Sequence, residues 1–239
     1  MGLETLRSRF LQSARISTRE TERDESTSPL DWAELAAVLP DGAFPRGVVE
    51  LSSPFALGGV TRVAFSAVRT EQAKAETFCA WLDPFETLYA PGAAWAGVDL
   101  TRLFVVRPPV SELGRIAVKL VRSGAFAVTV VDVDDILSDR NASPSSRSSD
   151  SRTFGSRTFG RAKRGEKAMH VVVRKLALAA EETTSTVLLI TDSKKPHDVP
   201  WPVAMRLELE RRPYELGVRV AKERFGRIGN QTWLPFDFE

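Results

Sequence analysis

Apolar and polar positions alternate along the chain in two rhythms. Near-continuous apolar runs recur at Val48–Leu51, Thr77–Leu82, Leu103–Val106, Ala125–Val131 and Val187–Thr191. Runs this short and this apolar are the pattern of strands buried on both faces. Between them lie helical spacings. Val60, Val63, Ala64, Ala67 and Val68 share one face, and Ser111–Arg122 and Lys167–Ala180 repeat the pattern, the last through Val171, Leu176 and Leu178. A short helix is predicted from an Asp31 N-cap to Leu39, and another over Tyr89–Ala96, with Pro91 acceptable only in its first turn. Strands alternating with helices predict an α/β fold with a mostly parallel central sheet flanked by helices. Ala204–Arg211 and Leu216–Glu223 alternate residue by residue and predict antiparallel edge strands near the C-terminus.

The ends and one interior stretch depart from that rhythm. Residues 1–16 carry Leu3, Leu6, Phe10 and Ala14 at helical spacing with arginines between, an amphipathic helix. Residues 17–29 are polar and mixed in charge and read as a linker. The helix either folds back on its own core or docks on another protein. The core domain is read as 30–229 and the tail as 230–239. Within the core, 138–164 is rich in Ser and Arg and repeats Ser151-Arg-Thr-Phe-Gly155 as Ser156-Arg-Thr-Phe-Gly160, so it reads as a mobile insertion.

Composition narrows the function classes. At 239 residues with 43% hydrophobic content, the chain holds one sizeable α/β domain plus tails. A net charge of +2 leaves a weak overall field, so basic behaviour must be local. It is concentrated in Arg140, Arg147, Arg152, Arg157, Arg161, Lys163, Arg164 and Lys167, against two acids, Asp150 and Glu166. With Phe154 and Phe159 interleaved, this stretch is either a solvated linker or a weak, salt-sensitive contact for single-stranded DNA. One cysteine, Cys79, excludes an intrachain disulfide, and two histidines far apart in sequence make no metal set. No apolar run reaches the ~18 residues of a membrane span, so a soluble, cytoplasmic protein is expected.

The candidate chemistry sits between the first strand and the helix after it. A phosphate-binding loop there needs G-x-x-x-x-G-K-[ST]. Ser53 holds the first glycine position and Gly58 the second, but Gly59 stands for the lysine and Val60 for the Ser/Thr that would hold Mg²⁺. Phe55 and Leu57 add apolar bulk. The loop is either packed shut or keeps residual ADP or anion affinity through backbone N–H groups. Neither Arg46 nor Arg62 stands at the lysine position. No nucleotide cofactor, metal or catalytic residue is expected. Asp132, ending a buried strand, would back a metal in an intact site; alone, it caps a loop or pairs with an arginine.

These motifs resemble the RecA core. Gly42-Ala-Phe-Pro-Arg-Gly-Val-Val-Glu-Leu51 is similar to the lead-in of that family's phosphate loop. Leu82-Asp-Pro84, Ala96-Gly-Val-Asp-Leu-Thr-Arg-Leu103 and Arg122-Ser-Gly-Ala-Phe-Ala-Val-Thr-Val-Val-Asp132 are similar to its next three segments. The resemblance puts the family's catalytic glutamate on Phe85. A narrower resemblance is to ImuA proteins. It rests on Trp81-Leu-Asp-Pro84, Leu88-Tyr-Ala-Pro-Gly92, Asp99-Leu-Thr-Arg-Leu-Phe-Val-Val-Arg-Pro108 and Arg122-Ser-Gly-Ala125. It implies a non-catalytic adaptor in DNA-damage-induced mutagenic lesion bypass. Its implied partners are ImuB, an error-prone polymerase and RecA; the helix-and-linker layout shared with the RecA family implies that Leu3, Leu6 and Phe10 contact RecA. The rival functions are a DNA-binding accessory protein, an inhibitor of RecA filaments and a DNA-dependent ATPase. Gln231, Leu234 and Phe236 also match the Q-x-x-L-x-F spacing of sliding-clamp peptides, with packing on the domain's own surface as the alternative.

Overall fold

The structure, a computed structural model, describes residues 29–54, 59–74, 77–133, 157–194 and 200–236, with the backbone alone described over 157–168. Eight strands form one sheet in the spatial order β3-β2-β4-β5-β1-β6-β7-β8. They are β1 (Gly47–Ser53), β2 (Cys79–Leu82), β3 (Leu103–Val106), β4 (Val128–Asp132), β5 (Thr186–Asp192), β6 (Met205–Arg212), β7 (Glu215–Glu223) and β8 (Thr232–Pro235). β3 through β6 run parallel, and β6-β7-β8 antiparallel. The helices are α1 (Ala33–Val38), α2 (Val60–Gln72), α3 (Ala90–Trp95), α4 (Leu113–Arg122) and α5 (Arg157–Thr183).

Two apolar layers hold the sheet. On one side α1 and α2 pack Leu35, Val63, Ala64 and Val68 onto Val49, Leu51, Val130 and Leu188. On the other, α4 and α5 pack Leu113, Val121, Val173 and Leu176 onto Val48, Val131, Val187 and Leu189. Alternate residues of β1, β4 and β5 thus serve opposite layers, which is why these strands read as unbroken apolar runs. β1 is buried at all seven positions. Its one acid, Glu50, accepts a 3.0 Å hydrogen bond from the Thr191 hydroxyl and lies 3.9 Å from Arg206, so the buried charge is compensated.

Four expectations are corrected. Asp31 does not cap α1, whose N-cap is Trp32; its carboxylate accepts from Ser66 Oγ at 2.8 Å and Arg69 Nε at 2.5 Å on α2 instead. β6 and β7 pair antiparallel as expected, but neither is the sheet edge, because β6 pairs parallel with β1 and β8 covers β7. The fourth helix–strand connection is longer in helix than expected: α5 starts at Arg157, so positions 157–164 are helical. Within α5, Leu176 is buried, whereas Val171 and Leu178 are half exposed and Met169, Val173 and Ala180 complete the inner face. Residues 1–28 and 138–156, on which the terminal helix, the linker and most of the insertion fall, lie outside the described residues.

Cys79 is fully buried in β2, and burial pushes its thiol up to about 12. The unfolded thiol ionises nearer 9, so the neutral thiol favours the folded state below that value. This contribution is lost as pH rises from about 9 towards 12. In native buffer at pH 8, Cys79 is expected to resist iodoacetamide and to react fully in denaturant, as read by mass spectrometry; rapid native labelling would contradict the burial.

Candidate nucleotide-joint site

The carboxyl ends of parallel strands are where open α/β sheets place their ligands, because the strand order and the helix N-termini leave a crevice there. Here the ends of β2, β4, β5 and β1 present Asp83, Asp132, Asp192 and Ser53 side by side. Their hydrogen bonds show what they do. Asp83, fully buried, accepts from the Thr87 and Leu88 amides at 2.8 and 3.2 Å, and Arg107 Nε lies 3.5 Å from it. The Thr87 hydroxyl stands 3.2 Å from both Asp83 Oδ1 and Asp132 Oδ2. Asp192 accepts from the Lys194 amide at 2.9 Å. Asp83 and Asp192 fasten the loops that follow their own strands, and Thr87 ties the first of those loops to Asp132. Among the described residues no group of three or more His, Cys, Asp or Glu is placed to hold a metal.

The joint from β1 to α2 is shaped by apolar groups. Ser53 ends β1 and is buried; Gly58, with residues 55–57, lies outside the described residues. Gly59 is the N-cap of α2 in the left-handed region, at φ 65°, with no side chain capping the helix. A Cβ built on it would lie 3.1 Å from Leu216 Cδ1 and 3.2 Å from both Cε2 and Cζ of Phe236. Val60, in the next position, is buried in the core. Phe236 is 3% exposed, its amide donating to the Tyr214 carbonyl at 2.8 Å. The Arg62 guanidinium lies over the rings of Trp32 and Phe236, at 5.2 and 4.7 Å from their centroids. Arg46 pairs with Glu71 at 3.6 Å.

The other residues singled out in the sequence fall in different places. Gln231 donates to Glu210 at 2.9 Å, Leu234 pairs with Leu216 across β7, and both Leu234 and Phe236 are buried. The anchors of a clamp-type peptide are therefore engaged in the sheet. Arg140, Arg147 and Arg152 lie outside the described residues, as do Leu3, Leu6 and Phe10; Arg157, Arg161, Lys163, Arg164 and Lys167 are positions on α5. Sequence reasoning missed Thr87 and the partnership of Phe236 with Gly59. The tail's aromatic content was a signal, but nothing in a linear pattern joins residue 236 to residue 59.

The fold and this joint define a phosphate-loop-type α/β domain in which apolar contacts meet at the loop's exit. Comparison with known proteins is consistent. The RecA N-terminal domain model matches residues 12–194, about three quarters of the chain, and the chain belongs to that family. It is 34% identical over 128 residues to the RecA protein of Bartonella tribocorum, covering 53% of this chain and 36% of that one. The RecA proteins of Lactobacillus delbrueckii subsp. bulgaricus and Kineococcus radiotolerans are 37% and 39% identical over 109 and 106 residues, covering 45% and 44% of this chain and 32% and 30% of theirs. The chain thus spans about a third of the length of these relatives.

A RecA-type joint implies a nucleoside triphosphate with a divalent cation, and the residues here do not fit it. The lysine position is a glycine whose Cβ site abuts Phe236 and Leu216, the metal-ligand position is a buried valine, and Asp132 is within reach of a threonine hydroxyl. Replacing Thr87 by Val keeps the shape and removes the donor between the two strand-end acids. A loss of about 1–2 kcal/mol in urea unfolding is expected; an unchanged midpoint would show that the hydroxyl holds neither.

Proposed function

We propose that this RecA-family chain is a non-catalytic adaptor of the ImuA type, serving damage-induced mutagenic DNA synthesis through protein contacts. The observation that carries the reading is the joint itself: Gly59, Val60 and Phe85 stand where phosphate-binding lysine, metal ligand and catalytic glutamate are needed, and Phe236 abuts Gly59. Without the lysine and the metal, a triphosphate would meet only backbone amides and a helix end, worth about 1 kcal/mol. Partners are proposed as ImuB, the error-prone polymerase and RecA.

The segment that gives the narrower resemblance supports a contact role. In Leu88-Tyr-Ala-Pro-Gly92, Pro91 lies in the first turn of α3, where its missing N–H is no loss. Gly92 leaves room for the Tyr89 ring, since a Cβ there would come within 2.9 Å of Tyr89 Cδ1. Tyr89 then meets Trp95 edge-on at 6.0 Å. Both stay in water, Tyr89 62% and Trp95 81% exposed. On the edge strand β3, Phe104 stacks on Phe126 and is 53% exposed. Uncovered large aromatics on a folded domain are the residues that protein interfaces use.

A second reading, DNA binding, draws on α5: its early helical start brings Arg157, Arg161 and Arg164 to i, i+4 and i+7 positions of one helix. A mobility shift that weakens steeply with salt would favour it.

Two measurements test the adaptor reading. Purified chain is expected to show no ATP turnover above a blank with or without single-stranded DNA; turnover lost on Asp132→Ala would overturn it. Tagged chain recovered from DNA-damaged cells is expected to bring down ImuB and the error-prone polymerase. Trp95→Ser, or Leu6→Asp with Phe10→Asp, is expected to reduce that recovery at unchanged melting temperature. Recovery of neither partner by the parent chain would count against the role.

A further inference from the structure

The absence of a lysine removes the charge that would attract phosphate to the β1–α2 joint. It does not explain why the last strand of the sheet reaches back to that joint. β8 pairs with β7, Leu234 opposite Leu216, and this register sets Phe236 one residue beyond the strand. The Phe236 amide is tied to the Tyr214 carbonyl, and the ring enters the same apolar cluster as Val60, at the first turn of α2. Trp32 flanks the ring at 6.3 Å between centroids. Arg62 and Arg211 lie over it at 4.7 and 4.9 Å. A ring held by a backbone bond, an aromatic neighbour and two guanidinium groups cannot swing aside as the tip of a flexible side chain would.

We infer that the C-terminal strand, through Phe236, is a built-in stopper of the nucleotide joint: it fixes the head of α2 from within the chain and bars a side chain at position 59. This rests on the nucleotide-independent reading above and goes beyond it, because it assigns the closure to a particular residue about 180 positions away in sequence. Three observations converge. Position 59 has a left-handed φ of 65°, which any residue with a Cβ adopts reluctantly. Its Cβ site lies 3.2 Å from two atoms of the Phe236 ring and 3.1 Å from Leu216. The arginines nearest that ring, Arg62 and Arg211, are stacked on it. Gly59 and Phe236 are therefore coupled: a Cβ at 59 requires the ring and Leu216 to give by a few tenths of an ångström.

The test is a cycle of four proteins: parent, Gly59→Lys with Val60→Thr, Phe236→Ala, and the triple variant. Each is checked for folding by circular dichroism and titrated with a fluorescent ADP analogue and Mg²⁺. The expected result is no detectable binding by the parent and Phe236→Ala, and binding by the triple variant at least about tenfold tighter than by Gly59→Lys/Val60→Thr. Equal binding by Gly59→Lys/Val60→Thr without the Phe236 change would overturn the stopper while leaving the adaptor reading intact. So would a folded triple variant that binds no better. Binding by the parent would overturn the nucleotide-independent reading itself. Should the triple variant fail to fold, hydrogen exchange on Phe236→Ala decides. The amides of Val63–Ser66, the first of α2 with acceptors inside the helix, are expected to lose protection by about tenfold while those of Leu188–Ile190 keep theirs; a uniform loss, or none, would overturn the proposal.

Discussion

The molecule depends on β1. Like β2, β4 and β5 it has parallel partners on both sides, and all seven of its residues are out of water. A strand so enclosed must leave the sheet through its carboxyl end and hand over to α2 within a few residues. That handover is where a RecA-family domain has its phosphate loop, and it is the place where this sequence departs most from the requirement for charge. The departure is coherent. Glycine replaces lysine where a Cβ would touch Phe236, and valine replaces the metal ligand where the helix turns into the core. An aromatic ring from the far end of the chain completes the cluster. Large buried side chains of this kind each contribute about 1.5–3 kcal/mol relative to exposure.

The strand-end carboxylates carry the same logic. In a site that works on phosphates, acids at these positions are kept for a metal or a water. Here Asp83 and Asp192 accept amides of their own following loops, and the Thr87 hydroxyl bridges to Asp132. At the opposite, amino end of the sheet, the Asp99 segment pins the last turn of α2, where Gln72 donates to the Asp99 carbonyl and accepts from the Asp99 amide, both at 2.9 Å. Thr101 donates its amide and hydroxyl to one oxygen of Asp99, and Arg102 donates to the other at 2.7 Å. These bonds hold the Asp99 carboxyl at about 2, with Thr101 the larger cause. Polar groups at both ends of the sheet thus stabilise turns.

Much of this was legible in the sequence because the parallel strands obey a strong rule. Runs such as Val48–Leu51 and Val187–Thr191 are apolar on both faces, and the helices between them repeat at 3.6 residues. The replacement of the lysine and metal ligand was equally plain. What escaped was tertiary. β8 is four residues long and ends in proline, so its alternation is too short to register, and its pairing with β7 moved the sheet edge. Asp31 had the right residue type for an N-cap, but Ser66 and Arg69 on α2 offered its carboxylate better partners. Val171 and Leu178 fit an apolar stripe by type, yet α5 turns Met169, Val173, Leu176 and Ala180 to the sheet. The function of Phe236 could not be read from spacing, since it depends on a contact closed only by the folded sheet.

The central claim is that this RecA-family domain is complete without a nucleotide. A ligand that binds the folded state raises its melting temperature by mass action, by an amount that grows with concentration. Thermal unfolding of the parent chain, titrated with ADP or a non-hydrolysable ATP analogue in the presence of Mg²⁺, reads this directly. The account predicts a melting temperature that does not move up to millimolar nucleotide. A rise that follows nucleotide concentration and disappears without Mg²⁺ would contradict it.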